Sequence, residues 1–147
     1  MNTNITMHFT IEELLASKTA KESGIVNKPN TQQLINLVYL TAYVLEPLRV
    51  AMNEPIKISS GFRCQELNKK VGGVKNSQHL KGQAADLCID GNIEKGKRWF
   101  EYIRKHLEFD QLIWEHSSDG TYWVHVSYVY KDFGKNRKQV INNLLKK

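Results

Sequence analysis

The sequence predicts an α+β fold: a small, largely antiparallel sheet with flanking helices. Three observations carry this. Residues 31–52 place Leu34, Leu37, Val38, Leu40, Val44, Leu45 and Leu48 at near-helical spacing, the pattern of a helix with one face in a core. Residues 109–116 and 121–130 read as strands, and the stretch between them, Ser117-Ser118-Asp119-Gly120, is a hairpin signal. Helix and strand patterns then share one chain of 147 residues, enough to bury a core as a single domain, residues 1–147.

The elements follow in order. Thr10-Ile11-Glu12-Glu13 is a capping box that opens a short helix through Leu14 and Leu15. Residues 18–26 read as a polar connection, and Asn27-Lys28-Pro29-Asn30 as a turn. The long helix comes next, with Glu46 and Arg49 on its polar side, and is either kinked at Pro47 or tolerant of it. Residues 56–59 alternate like a half-buried strand, 60–63 turn, 64–71 form a short helix, and Gly72-Gly73 leads a loop to Gln78. Residues 84–89 are short and mostly apolar, a buried strand. Residues 92–107 form an amphipathic helix carrying Trp99, Phe100, Tyr102, Ile103 and Leu107. After the hairpin, residues 137–145 predict a basic C-terminal helix.

Hydrophobic and charged shares of 41% and 24% are those of an ordinary globular protein. The most apolar stretch, residues 34–52, is interrupted by Asn36, Thr41, Glu46 and Arg49, so no membrane span is expected. The first eight residues lack a basic start and an apolar run, so the chain is expected to be made in the cytoplasm without a signal peptide. Cys64 and Cys88 fit no CxxC spacing and read as reduced thiols. The net charge of +6 suits a polyanionic partner, but the lysines are dispersed and no nucleic-acid motif is present. A monomer that binds no nucleic acid is expected.

The densest chemistry lies in His79-Leu80-Lys81-Gly82-Gln83-Ala84-Ala85-Asp86 and in Trp123-Val124-His125-Val126-Ser127. Two imidazoles and one carboxylate make a three-ligand set for a catalytic zinc with its fourth position open to water. Gly82 lets the chain turn and approach another backbone closely, folding His79 over the face that carries Asp86. An aspartate within an apolar strand is costly unless paired or bound to metal. Taken singly, His79 reads as a surface loop residue, and Asp86 as a turn cap or the partner of a lysine. Together with Gly82, Ala84 and His125 they point to metal-assisted hydrolysis.

These segments also carry a resemblance. Ser59-Ser60-Gly61-Phe62-Arg63, Leu67-Asn68, Val71-Gly72-Gly73, Ser77-Gln78-His79, Gly82-Gln83-Ala84-Ala85-Asp86 and Trp123-Val124-His125-Val126-Ser127 come in the order seen in zinc D-alanyl-D-alanine carboxypeptidases. The sequence resembles the VanY-like group and phage endolysins of the same clan, which includes the Hedgehog signalling domain. The resemblance covers roughly residues 31–130. It implies a Hedgehog/carboxypeptidase-like fold and Zn²⁺ held by His79, Asp86 and His125. It also implies Arg63 on the substrate and Ser77 and Gln78 at the rim of the site. The implied substrate is the stem peptide of peptidoglycan, cut at D-Ala-D-Ala or, in the phage type, at an L-alanyl-D-glutamate bond. The implied place of action is the cell wall, reached by release or export.

One departure matters. Several clan members place a catalytic acid two or three residues before the last histidine, where this chain has Trp123 and Tyr122. A three-residue loop at Asp119-Gly120-Thr121 sets position 115 opposite 125, which makes Glu115 the first candidate for general base. Asp119 in the turn and His116 on the opposite face are the other two. Arg63, with the metal, is then placed to stabilise an oxyanion. Two rival readings remain: a zinc-bearing wall-binding module without catalysis, and a basic interaction domain with structural histidines.

Overall fold

The computed structural model describes residues 2–142. Among these residues six α-helices and five strands are formed: α1 (Ile11–Leu15), α2 (Lys18–Ser23), α3 (Thr31–Leu40), α4 (Glu46–Met52), β1 (Lys57–Ser60), α5 (Gln65–Lys70), β2 (Ala84–Cys88), α6 (Ile93–His106), β3 (Gln111–His116), β4 (Tyr122–Ser127) and β5 (Gln139–Asn142). The strands make one open mixed sheet in the order β1-β2-β4-β3-β5, antiparallel except for the parallel pair β3–β5. The fold is α+β.

Local sequence sets the helix ends. Thr10 and Glu13 close the capping box of α1 reciprocally, and Asn30 with Gln33 forms a second one on α3. Residues 18–26 are not simply a connection: Ser17 accepts a bond from the Ala20 N–H and starts α2, which ends at Gly24. The long helix runs from Thr31 to Met52 but passes through a π-helical turn, Thr41–Leu45. That turn displaces the backbone pairing just before Pro47, so a residue lacking an N–H is absorbed without breaking the run. By length and mean hydropathy (1.3) this run could cross a bilayer. Here its Leu37, Leu40, Val44, Leu45 and Leu48 are fully buried, which makes it the core helix.

The sheet has two unlike faces. Leu87, Leu112, Trp114, Val124 and Val126 point to the core with Phe9, Leu14, Phe62, Trp99, Phe100 and Ile103. Helix α6 lies against this face and comes closest at Gly96, where a Cβ would stand 2.6 Å from the Trp114 ring. By strand alternation the other face carries Asp86, Gln111, Ile113, Glu115, Trp123 and His125, and all six line one cleft.

Two further expectations fail. Residues 139–142 are strand rather than helix; residues 143–145 of that expected helix lie outside the described residues. The free edge of β3 provides the reason: Lys138 and Gln139 donate their N–H groups to the carbonyls of Phe109 and Asp110, and pairing at an open sheet edge outweighs weak helix propensity. The hairpin register also differs. Glu115 pairs with Trp123, and Ile113 with His125. The connection spans residues 117–121, closed by the Ser117 N–H on the Thr121 carbonyl at 2.9 Å. Five residues keep the odd parity of three, so Glu115 stays on the face of His125, one pair further along.

Candidate metal centre

Asp86 of β2 and His125 of β4 are direct cross-strand partners. Asp86 Oδ1 lies 2.9 Å from His125 Nδ1 and 3.3 Å from His79 Nε2. One donor atom from each residue falls within 4.8 Å of the others, a grouping able to hold one metal ion. His79 comes from a 3₁₀ turn, Gln78–Lys81, whose N-cap Ser77 accepts the His79 N–H at 3.1 Å.

The turn is fixed on both sides of its histidine. Gly61 O lies 2.6 Å from His79 Nδ1, and the Arg63 N–H donates to the His79 carbonyl at 3.1 Å. The Gly61 contact sets the tautomer, leaving Nε2 to face Asp86, as metal-ligating histidines require. Gly82 ends the turn at φ 73°, and a Cβ there would stand 2.3 Å from the Gln33 carbonyl oxygen, so α3 and the turn touch backbone to backbone. Burial alone would raise the Asp86 pKa. The adjacent His79 and His125 outweigh it and hold the carboxyl well below its usual range. A buried carboxylate kept ionised between two imidazoles is the donor chemistry that zinc takes, and the residues present fit that ion.

The triad lies in a cleft of about 700 Å³ lined also by Arg63, Ser77, Gln78, Lys81, Gln111, Glu115, Trp123 and Arg137. Glu115 Oε1 is 3.5 Å from His125 Nδ1. Arg63 is half-buried. Burial lowers its pKa, and the charges of Asp86 and Glu115 oppose that fall. Its Nε is buried without a hydrogen-bond partner among the described residues. Ser77 is buried and spends its oxygen on the His79 turn. Gln78 donates to Asp110 Oδ2 at 3.0 Å and leaves its own oxygen buried without a partner. The other two acid–base candidates stand outside the cleft lining. Asp119 is bound within its turn by Ser117 and Thr121, and exposed His116 packs on Tyr122.

Two contributors were missed by sequence reasoning. Arg137 enters the cleft from the segment before β5 and forks onto buried Asp110, at 3.0 Å from Nε to Oδ1 and 2.7 Å from Nη2 to Oδ2. Asn27, read as a turn residue, ties Leu15, Phe62 and Cys64 together around the Arg63 segment. No local motif marks either residue, because each acts through a partner distant in sequence.

A sequence-family model described as Peptidase M15 matches residues 7–127. The chain belongs to the peptidase M15 family. Among curated proteins, it is similar to the zinc D-Ala-D-Ala carboxypeptidase of Streptomyces albus G, 45% identical over 49 residues. That match takes in 33% of this chain and spans only 19% of the relative's length. The metal of that relative is the one the His79–Asp86–His125 group suits.

Proposed function

We propose that the protein is a zinc peptidase that hydrolyses the stem peptide of peptidoglycan, of D-Ala-D-Ala carboxypeptidase type. The observation that carries this reading is the convergence of the three ligands, Glu115 and Arg63 in one cleft. Family membership and the named relative support the substrate class.

When bound by His79, Asp86 and His125, zinc supplies a water of lowered pKa and a Lewis acid for the scissile carbonyl. The side chains do the rest. Glu115 takes the proton of the attacking water on one carboxylate oxygen and delivers it to the leaving amine. Arg63, held in a partly desolvated site and without an ion pair among the described residues, stabilises charge on the carbonyl oxygen as the tetrahedral centre forms. The Gly61 carbonyl keeps His79 oriented throughout. Trp123, on the same face, offers an apolar wall to the peptide.

A second reading, cleavage of the internal L-alanyl-D-glutamate bond, is favoured by one feature. The cleft shares Lys81 with a neighbouring groove, which gives a substrate room to continue beyond the reacting bond. Mass spectrometry of muropeptides after incubation with zinc-loaded protein tests both. Loss of a terminal D-alanine supports the first reading and release of peptides beginning at glutamate the second. Unchanged muropeptides overturn both and favour the non-catalytic wall-binding module.

A further inference from the structure

The groove that meets the cleft at Lys81 has a volume of about 460 Å³ and is otherwise lined by Asn30, Gln32, Gln33, Asn36, Gln83 and Phe133. Most of its amides are committed. Gln33 Nε2 donates to the Leu80 carbonyl at 3.0 Å, Asn36 Nδ2 to the Lys81 carbonyl at 2.8 Å, and Gln32 Nε2 to Asn36 Oδ1 at 3.1 Å. The first two bonds fasten α3 to the turn that carries His79, and the third lies within α3.

Gln83 differs. Only 8% of it is exposed, and its backbone carbonyl accepts from the Tyr128 N–H. Its side-chain amide lines the groove with no hydrogen-bond partner among the described residues. Neither amide atom is among the fully buried unpartnered ones, so the amide is open to solvent through the groove and is free to exchange water for the donor and acceptor of a ligand. Phe133, 47% exposed, presents an aromatic surface beside it, steadied by the rings of Tyr39 and Tyr130 at 6.3 and 5.7 Å between centroids. No carboxylate lines the groove.

We propose that this groove binds an N-acetylated amino sugar of the glycan strand to which the stem peptide is joined. The proposal rests on the reading of the cleft as a stem-peptide site. An acetamido group both donates and accepts, and so satisfies the Gln83 amide in both directions. The C–H face of a pyranose ring packs on the Phe133 ring. Lys81 joins the two sites, two residues beyond His79 in a turn that rises only about 2 Å per residue, so sugar and peptide of one substrate occupy groove and cleft together.

Peptide-free glycan strands titrated into zinc-loaded protein test the groove by itself, with binding read from backbone amide NMR shifts. Binding is expected to perturb Lys81, Gln83 and Phe133, and to weaken about three- to tenfold in Gln83→Leu and in Phe133→Ala. Phe133 is exposed, so its variant keeps the test valid if the Gln83 variant fails to fold. In parallel, kcat/KM is compared for sugar-linked and free stem peptides. The wild type is expected to favour the sugar-linked form by a similar factor, and Phe133→Ala to treat the two alike. Absent glycan binding, or binding undiminished in Phe133→Ala, overturns the proposal even when stem peptides are cleaved. Glycan binding at these residues without stem cleavage upholds the sugar site and overturns the reading of the cleft.

Discussion

Glu115 holds Oε1 3.5 Å from Nδ1 of His125, although its partner across the ladder is Trp123. The neighbouring strand thus brings a carboxylate to the level of position 123, one of the two positions where several members of the resembling clan carry their acid. In the proposed reaction Glu115 is the general base, a role that contributes about 10²–10⁴ in rate. Glu115→Gln preserves shape and hydrogen bonding while removing the base. It is expected to keep its zinc, measured by elemental analysis, and to lose hydrolysis by about that factor. Wild-type turnover in this variant would remove Glu115 from the mechanism.

One zinc per chain is expected, with ligand nitrogens at about 2.0–2.1 Å from the ion. His79→Ala and His125→Ala each leave two donors and should lose the metal on dialysis. A chelator should abolish activity in the wild type and lower its melting temperature, since an ion bound only by the folded chain stabilises it. Full zinc occupancy with both substitutions made in one chain would place the ion elsewhere.

Arg63 forms no ion pair at salt-bridge distance among the described residues, and burial opposes its charge. Its removal should therefore cost little stability, within about 1 kcal/mol. The same change should slow hydrolysis about 10²–10³-fold through the lost oxyanion contact. Arg63→Lys should recover only part of that rate, because a point charge does not reproduce the planar guanidinium. Matching melting curves together with unaltered kinetics would remove Arg63 from the mechanism.

Asp110 should control acid stability. Burial raises its pKa, but the bonds from the Arg137 side chain and backbone and from Gln78 outweigh this and lower it. The unfolded chain therefore takes up the proton first as pH falls. The contribution of ionised Asp110 is present above the ordinary aspartate value of about 3.9 and is lost as pH drops through the lower folded value. Arg137 is largely exposed, so the ion pair itself is screened. The hydrogen bonds left unmade set the cost of Asp110→Asn at about 1–3 kcal/mol near neutral pH. Urea unfolding across pH should show a shallower acid slope for the variant; parallel slopes would contradict this account.

The grouping of His79, Asp86 and His125 was legible because these residue types are rare in apolar strands and the spacing is local: His79 and Asp86 flank Gly82, and His125 sits inside a strand pattern. The face of Glu115 was also legible, since strand parity depends only on whether the loop is odd. Its exact partner was not. Ser117, Asp119 and Thr121 bond one another across a wider loop than the glycine position suggested. The strand at residues 139–142 was hidden for a different reason. Its conformation is set by the vacant edge of β3 and by Asp110, more than 25 residues away in sequence, and no periodicity within a basic segment records that.

Gly82 gives the sharpest test of how the fold holds the metal. It ends the His79 turn in a left-handed conformation, and a methyl group there would stand 2.3 Å from the Gln33 carbonyl oxygen and 3.2 Å from the Leu37 side chain. Neither neighbour can yield easily: Gln33 lies within α3, capped by Asn30, and Leu37 is fully buried. Gly82→Ala must therefore push the turn away from α3, which strains the Gln33–Leu80 and Asn36–Lys81 bonds and moves His79 relative to Asp86. The expected cost is about 2–3 kcal/mol from backbone strain and overpacking together. Zinc affinity should fall about 10- to 100-fold although no ligand is changed, the scale seen when the support of a ligand is lost. Competition against a fluorescent chelator measures the affinity, and chemical denaturation the stability. Loss of stability with unchanged zinc affinity would mean that the Gly61 contact alone positions His79.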